Sequence, residues 1–203
     1  MTAEVAVVHN GIIENFQELR EYLQKRGIQH TTDTDTETIA LLTQAMIEDG
    51  HEPIEAAKKT IDKLTGAFAL CFLFEGHNDL MVIARKGSPL AIGIGKGEMF
   101  VGSDAIALSP MTNKISYLEE GDFAVLTRAN VQVWDHGGAL VEREIKTINT
   151  QNTQVQKDGY QHFMEKEIHE QPRVVSLALE YYFDPNTGKI NLPDGIDLSL
   201  IHI

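Results

Sequence analysis

The sequence is poor in cysteine, in long apolar runs and in positive charge. Its single cysteine, Cys71, excludes a framework of intrachain disulfides. The longest apolar run, Ala67–Phe74, is far shorter than the roughly 20 residues that a membrane-spanning helix needs. No basic segment followed by a long apolar one opens the chain, so no secretory signal peptide is predicted. These absences together predict a soluble protein of the cytoplasm.

Basic residues are outnumbered, with 17 Lys and Arg against 30 Asp and Glu, and the net charge is −13. An acidic surface repels phosphate backbones and anionic lipids, so neither nucleic acid nor a membrane is expected as a partner.

The chain is long enough and apolar enough to form a folded domain. Its 203 residues, 42% of them apolar, can bury the core of one domain and add part of another.

The first third of the chain has the apolar spacing of helices. The predicted helices run from Asn15 to Gly27, from Thr34 to Gly50 and from Pro53 to Gly66. In the second of them, Thr34 and Glu37 have the spacing of a capping box.

After Gly66 the pattern changes to short apolar segments separated by Gly, Asn, Asp, Ser or Pro. The short links predict antiparallel pairing, because parallel crossovers need a dozen or more residues. Helices followed by antiparallel strands predict an α+β layered domain. The predicted strands are Ala67–Phe74, Leu80–Arg85, Leu90–Gly95, Met99–Gly102, Asp122–Thr127, Asn130–Asp135 and Leu140–Lys146, the last two joined across His136–Gly138.

The composition shifts again after Lys146. Thr147–Asp158 is polar and without a clear period, which is typical of a linker. Gln161–Tyr182 has helical spacing with an expected break near Pro172, and Leu198–Ile203 resembles the start of a strand. We therefore expect one domain over residues 1–150, and a linker, a helix and the start of another domain over residues 151–203.

The step Asn10-Gly11 follows an apolar segment and has two interpretations. A plain turn before a helix is one, because Asn and Gly favour sharp turns. The other is an oxyanion hole, in which the Asn10 side-chain amide and the Gly11 backbone N–H point at one developing negative oxygen.

The segment Thr34-Asp35-Thr36-Glu37 also has two interpretations. It fits the capping box already described. Alternatively, Asp35 at the start of a helix faces a cleft and holds the ammonium group of a substrate by a charge-assisted hydrogen bond.

Three other candidate features favour structural interpretations. Cys71 lies within an apolar strand, where a buried thiol is inert. Lys96 lies among three glycines without the spacing of a phosphate loop, so a hairpin turn is predicted there. His162, Glu165 and His169 can share a helix face, but two imidazoles seven residues apart make a poor metal site, and a solvated face is expected.

Five motifs, in this order along the chain, resemble the glucosamine-6-phosphate synthase family. Together they cover the chain almost from end to end. They are His9–Asn15 (HNGIIEN), Thr34–Glu37 (TDTE), Ala84–Leu90 (ARKGSPL), Gly102–Asp104 (GSD) and Glu165–Pro172 (EKEIHEQP).

The resemblance implies an N-terminal-nucleophile amidohydrolase fold, an αββα sandwich of antiparallel sheets. It implies that a cysteine at the mature N-terminus attacks the amide of glutamine, and that the ammonia passes to fructose 6-phosphate in a second domain. Asn10 and Gly11 match the oxyanion-hole pair, and Asp35 matches the carboxylate that holds the α-amine of glutamine. No metal or organic cofactor is implied, and a homo-oligomer is expected for the full-length enzyme.

The chain departs from the family pattern at its start. The family's glutaminase domain begins with Cys-Gly-Ile and a segment that precedes the Asn-Gly step, whereas this chain opens with Met1-Thr2-Ala3-Glu4. We therefore expect a fragment that lacks the nucleophile and the first strands and is itself inactive. Two alternatives stay open: another amidotransferase of this class, such as a purine-pathway enzyme, and a non-catalytic binding or regulatory module that begins at Met1.

Overall fold

A computed structural model describes residue 2 and residues 4–148, 158–184 and 187–190. The chain divides into two compact units, Met1–Gln154 and Val155–Ile203. The domain boundary expected at residue 150 stays a prediction. The strand expected at Leu198–Ile203 lies outside the described residues.

The described residues of the first unit form three helices, one helical turn and a run of short strands. The helices are α1 (Phe16–Lys25), α2 (Asp35–Glu48) and α3 (Pro53–Ile61), and the helical turn is α4 (Ala105–Leu108). The strands are β1 (Val5–Ile13), β2 (Gly66–Phe74), β3 (Met81–Lys86), β4 (Ala91–Ile94), β5 (Met99–Gly102), β6 (Lys114–Tyr117), β7 (Phe123–Leu126), β8 (Val131–Trp134), β9 (Leu140–Val141) and β10 (Ile145–Thr147).

The strands form two antiparallel sheets, as the short links predict. One sheet has the order β1-β2-β3-β7-β8-β9, and the other has the order β10-β6-β4-β5. The segment predicted as one strand, Leu140–Lys146, is instead divided between them, with β9 in the first sheet and β10 in the second. Two strands in different sheets cannot be told from one strand by local apolar content alone.

Helices α1, α2 and α3 cover one face of the six-stranded sheet. Their apolar faces meet the strands in a core that includes Leu23, Ile39 and Leu42 from the helices and Phe68 and Phe72 from β2, all at most 2% exposed. The apolar spacing that predicts these helices therefore also predicts which of their faces is buried.

The four-stranded sheet packs on the opposite face. Ile83 of β3 and Ala124 of β7 meet Ile92 of β4 in a second core, and all three are at most 1% exposed. The helical turn α4 lies on the outer side of this smaller sheet, where Leu108 contacts Ala91. The first unit is thus an α+β layered sandwich, which confirms the predicted fold class.

The smaller sheet leaves β1 uncovered. Cys71 and Ala69 of β2 face the second core, and their partners across β1 are Val8 and Asn10, so the side chains of β1 residues 8, 10 and 12 share that face. Val8 and Ile12 are each 68% exposed there. The described part of the chain therefore presents an apolar sheet face beside the free edge of β1.

We expect this surface to cause self-association, because uncovered strand edges and apolar patches both promote it. The double substitution Val8→Lys and Ile12→Lys should reduce the associated fraction, measured by sedimentation velocity. The matched control is Ile106→Lys with Met111→Lys, which adds the same charge at residues 50% and 48% exposed on another part of the first unit. A monodisperse monomer for the unsubstituted chain, or equal effects of the two pairs, contradicts the prediction.

The second unit contains helix α5 (Phe163–Tyr182) and the two-stranded pair β11 (Phe183–Asp184) and β12 (Lys189–Ile190). The break expected near Pro172 does not occur, and α5 runs through it. A proline removes one backbone N–H, and the residues on both sides keep helical spacing, so the loss of one hydrogen bond does not end the helix. In the described residues, no helix combines the length and the apolar content that a bilayer crossing requires.

Candidate functional site

The Asn10-Gly11 step lies inside strand β1, not in a turn. Asn10 pairs with Ala69 and Gly11 pairs with Phe68 in an unbroken antiparallel register with β2. The turn interpretation is therefore wrong. The local preference of Asn-Gly for a turn is overridden by the apolar residues on both sides, which pair along the whole of β2.

Close approach of β1 and β2 explains why residue 11 is a glycine. Its φ is +134°, and a Cβ placed on it would lie 2.1 Å from the carbonyl oxygen of Ala67. Gly66 on the other strand is in the same situation, with a φ of +130° and a Cβ position 2.2 Å from the Ile12 carbonyl oxygen. Any other residue at position 11 would force the strands apart.

The backbone N–H of Gly11 points out of the free edge of the sheet. In an antiparallel pair, the N–H groups of alternate residues point toward the partner strand. Glu14 donates its N–H to Thr65 across the ladder at 2.8 Å, so the even-numbered residues of β1 face β2. The odd-numbered residues 9, 11 and 13 therefore direct their N–H groups outward, where β1 is the edge strand.

The Asn10 side chain lies on the uncovered sheet face, next to that edge. It is exposed, and it makes no side-chain hydrogen bond within the described part of the chain. Asn10 thus offers an exposed amide donor next in the chain to the outward N–H of Gly11.

Asp35, the first residue of α2, is bound to the same edge. Its Oδ2 accepts the N–H of Ile13 at 2.9 Å, and its side chain is 24% exposed. Ile13 and Gly11 are two residues apart on β1, which is about 7 Å of strand. The fold therefore brings Asp35 beside the Asn10-Gly11 step, although 22 residues separate Asp35 from Ile13 in the sequence.

The predicted capping box of α2 is wrong. Thr34 is the N-cap residue, but its side chain makes no capping hydrogen bond. The Glu37 carboxylate instead accepts hydrogen bonds from the backbone N–H groups of Thr31 and Thr32, at 2.7 to 3.0 Å, and from their hydroxyls. Burial acts to raise the pKa of Glu37, but these hydrogen bonds outweigh it and lower the pKa to about 2.

A second side chain fixes the same loop from α1. The Arg20 guanidinium donates to the carbonyl oxygens of Thr32 and Thr34, at 3.0 and 2.9 Å, and to the Thr38 hydroxyl at 3.2 Å. Arg20 and Glu37 together hold the loop that leads into Asp35. Glu37 has the spacing of a capping-box residue, but it anchors the preceding loop instead of capping the helix.

His9 also contacts the start of α2, although the sequence did not single it out as a candidate. Its Nδ1 shares a hydrogen bond of 2.9 Å with the Thr36 hydroxyl and lies 3.7 Å from Asp35 Oδ1. The side chain is only 3% exposed, and its Nε2 is buried without a partner in the described residues. Burial lowers the pKa of His9, and the nearby Asp35 only partly opposes this, so the imidazole is neutral at pH 7.

Cys71 lies on β2, with its side chain toward the space between the two sheets. Burial raises the pKa of its thiol to about 11. A thiol with such a pKa is almost entirely protonated at neutral pH and is a poor nucleophile. The structural interpretation of Cys71 is therefore retained.

The other candidate features fall outside this site. Lys96 lies in the turn between β4 and β5, where Gly95 donates its N–H to the Glu98 carbonyl at 3.0 Å, so the glycines there form a hairpin turn. His169 and Glu165 lie on α5 of the second unit, where His169 Nδ1 hydrogen-bonds to the Glu165 carbonyl oxygen.

Comparison with protein families and curated relatives gives one consistent result. A family model for the glutamine amidotransferase domain matches residues 1–110. A glutamine–fructose-6-phosphate aminotransferase (isomerizing) of Brucella abortus is 50% identical over 202 residues, 99% of this chain and 33% of the relative. One of Bradyrhizobium diazoefficiens is 53% identical over 192 residues, 95% of this chain and 32% of the relative. The chain therefore spans about a third of the length of these curated relatives.

Solved structures show the same fold. A glutamine phosphoribosylpyrophosphate amidotransferase of B. subtilis, complexed with ADP and GMP, matches 69% of this chain and 31% of its own, with a TM-score of 0.56 and 24% identity. A structure described as the allosteric regulatory enzyme of purine biosynthesis matches 67% of this chain and 29% of its own, with a TM-score of 0.53 and 25% identity. The likeness to the first of these is evidence of fold alone.

Proposed function

This chain belongs to the glutamine amidotransferase domain family, and from that premise we propose that it carries part of the glutaminase site of a longer enzyme that makes glucosamine 6-phosphate. One observation supports the site assignment above the others. Asp35 is bound to the edge of β1 two residues from Gly11, so the carboxylate that we propose to hold the ammonium group lies along the same strand edge as the proposed oxyanion-hole residues.

Asn10 and Gly11 act on the amide end of glutamine in this proposal. When a nucleophile attacks the amide carbon, the carbonyl oxygen becomes negative. The Asn10 side-chain N–H and the Gly11 backbone N–H donate to that oxygen and stabilise the charge as it develops. Because Gly11 is paired with β2, its N–H already points out of the sheet edge before the reaction starts.

Asp35 acts on the other end of the substrate. Its Oδ2 is occupied by the Ile13 N–H, and Oδ1 is left to accept a hydrogen bond from the α-ammonium group of glutamine. The bond to Ile13 fixes the carboxylate relative to Gly11. The two ends of one small substrate can thus be held at the same time.

The nucleophile comes from outside these 203 residues in this proposal, because the only cysteine of the chain is the inert Cys71. Attack on glutamine forms a thioester and releases ammonia, and water then releases glutamate. The ammonia aminates fructose 6-phosphate in another part of the longer enzyme, which we propose to be a cytoplasmic homo-oligomer.

A sugar-phosphate enzyme is favoured over a purine-pathway one by the degree of similarity. The relatives that match at about 50% identity are named glutamine–fructose-6-phosphate aminotransferases. The structure described as an enzyme of purine biosynthesis matches at 25% identity.

The chain by itself should release no glutamate from glutamine above background. An oxyanion hole without a reactive thiol lacks the covalent route, and the Cys71 thiol is protonated at neutral pH. A coupled glutamate assay checks this, with Cys71→Ser as the companion variant. Turnover that disappears in Cys71→Ser would contradict both the prediction and the structural role of Cys71.

The positive test is a chimera in which this chain replaces the matching segment of the Brucella abortus relative. We expect the chimera to hydrolyse glutamine and to form glucosamine 6-phosphate from fructose 6-phosphate. A folded chimera that does neither, although the unmodified relative does both, would contradict the proposed function.

A further inference from the structure

Two side-chain contacts bind the first turn of α2 to the edge of β1. One is the Asp35 carboxylate on the Ile13 N–H, and the other is the Thr36 hydroxyl on His9 Nδ1, each at 2.9 Å. The backbone N–H groups of His9, Gly11 and Ile13 point out of the sheet edge one after another along β1. The two contacts, at His9 and Ile13, therefore lie on either side of Gly11. Both the distance and the orientation of Asp35 relative to Gly11 therefore depend on them.

His9 is an unfavourable choice for packing alone. Its side chain is 3% exposed, and its Nε2 has no partner in the described residues. A buried polar atom without a hydrogen bond loses its hydration without compensation, a cost that an apolar ring of the same size would avoid. The contact that the imidazole does make, to the helix that carries Asp35, is the one that an apolar ring could not make.

The neutral state of the imidazole leaves Asp35 available. At 3.7 Å, His9 Nδ1 is too far from Asp35 Oδ1 for a hydrogen bond, and its closer partner is the Thr36 hydroxyl. A cationic residue in this place would pair with Oδ1 and compete with a substrate ammonium group. His9 thus holds the helix without occupying the carboxylate.

We infer that His9 is a positioning residue, which sets Asp35 against the Gly11 edge through its Nδ1 contact with Thr36. The inference rests on the proposed function, since it assumes that Asp35 holds the substrate ammonium group.

The test uses the whole 203-residue chain, labelled with ¹⁵N, and three variants. His9→Phe keeps a ring and removes Nδ1. His9→Asn places an amide atom close to the position of Nδ1 and serves as the conservative variant. His77→Phe makes the same change at an exposed histidine in the loop between β2 and β3. Titration with L-glutamine is followed at the amides of Gly11 and Asp35, and the Ile13 amide is followed by chemical shift and hydrogen exchange.

We expect His9→Phe to weaken glutamine binding about tenfold, the usual scale for one hydrogen bond, and to increase exchange at the Ile13 amide. His9→Asn should restore most of both, and His77→Phe should change neither. Equal glutamine affinity in His9→Phe and the unsubstituted chain, or a failure of His9→Asn to differ from His9→Phe, would overturn the inference and leave the proposed function standing.

The failure of the proposed function gives a different result. If the unsubstituted chain shows no response to glutamine at Gly11 and Asp35, the assignment of Asp35 as ammonium ligand loses its support. The Ile13 amide then still decides the positioning role. Faster exchange in His9→Phe with recovery in His9→Asn supports it, and unchanged exchange overturns it.

Discussion

The substitution Asn10→Ala is expected to lower the kcat of glutamine hydrolysis by about 10²–10³ in the chimera with the Brucella abortus relative. That factor is the usual cost of removing one oxyanion-hole donor. The Asn10 side chain makes no hydrogen bond within the described residues, so its removal should leave the fold intact. KM should change little, because the donor acts mainly on charge that develops in the transition state.

Steady-state kinetics of glutamate release measure this effect. Asn78→Ala, an exposed position in the loop between β2 and β3, is the matched control and should retain full activity. Amination of fructose 6-phosphate with added ammonia should survive Asn10→Ala, because that route does not pass through the oxyanion hole. A kcat within a few-fold of the unsubstituted chimera would show that Asn10 is an ordinary strand residue.

The substitution Asp35→Asn is expected to raise KM for glutamine by about 10- to 100-fold with a small change in kcat. A hydrogen bond to a charged group contributes about 1.5–3 kcal/mol, and the ammonium group is present in the ground state and the transition state alike. Asparagine keeps an oxygen that can accept the Ile13 N–H, so the variant removes the charge but not the anchor of α2.

Asp33→Asn is the matched control, since it removes the same charge from the exposed loop two residues earlier. It should leave KM close to that of the unsubstituted chimera. A fall in kcat for Asp35→Asn as large as that for Asn10→Ala, with KM unchanged, would mean that Asp35 is a structural helix residue rather than a substrate ligand.

The elements of the fold were largely predictable because their signals are local. Apolar spacing of three and four residues predicts α1, α2 and α3, and it predicts their buried faces as well. Short strands with short links predict antiparallel sheets. Strand β6 and the turn α4 were not predicted, because β6 (KISY) lacks the continuous apolar run of the other short strands and a single helical turn is too short to show a helical period.

The site was only partly predictable. The resemblance to a known family identifies Asn10, Gly11 and Asp35, but their local patterns point to a turn and a capping box, and neither forms. In each place another contact replaces the one that the local pattern predicts. Asn10 and Gly11 pair with the distant strand β2, and Glu37 binds Thr31 and Thr32 of the preceding loop instead of the N-cap residue.

His9 shows why the rest of the site could not be found by spacing. It meets Thr36 across 27 residues of sequence, and Asp35 meets Ile13 across 22. Contacts at such separations leave no period in the chain. A signal was present, since His9 lies within the motif shared with the family, but only packing shows that its imidazole is buried against α2.

By itself, the sequence determined the family and the α+β class, and it predicted the groups that we propose to bind glutamine, because motifs and apolar periods are properties of neighbouring residues. Only the tertiary structure decided that Asn10-Gly11 is a strand and not a turn, that the Gly11 N–H points out of a free edge, and that Asp35 is bound beside it. Those facts depend on which strand lies at the edge of the sheet and which helix packs against it. Burial of a shared core settles both, and no local stretch of the chain contains that information.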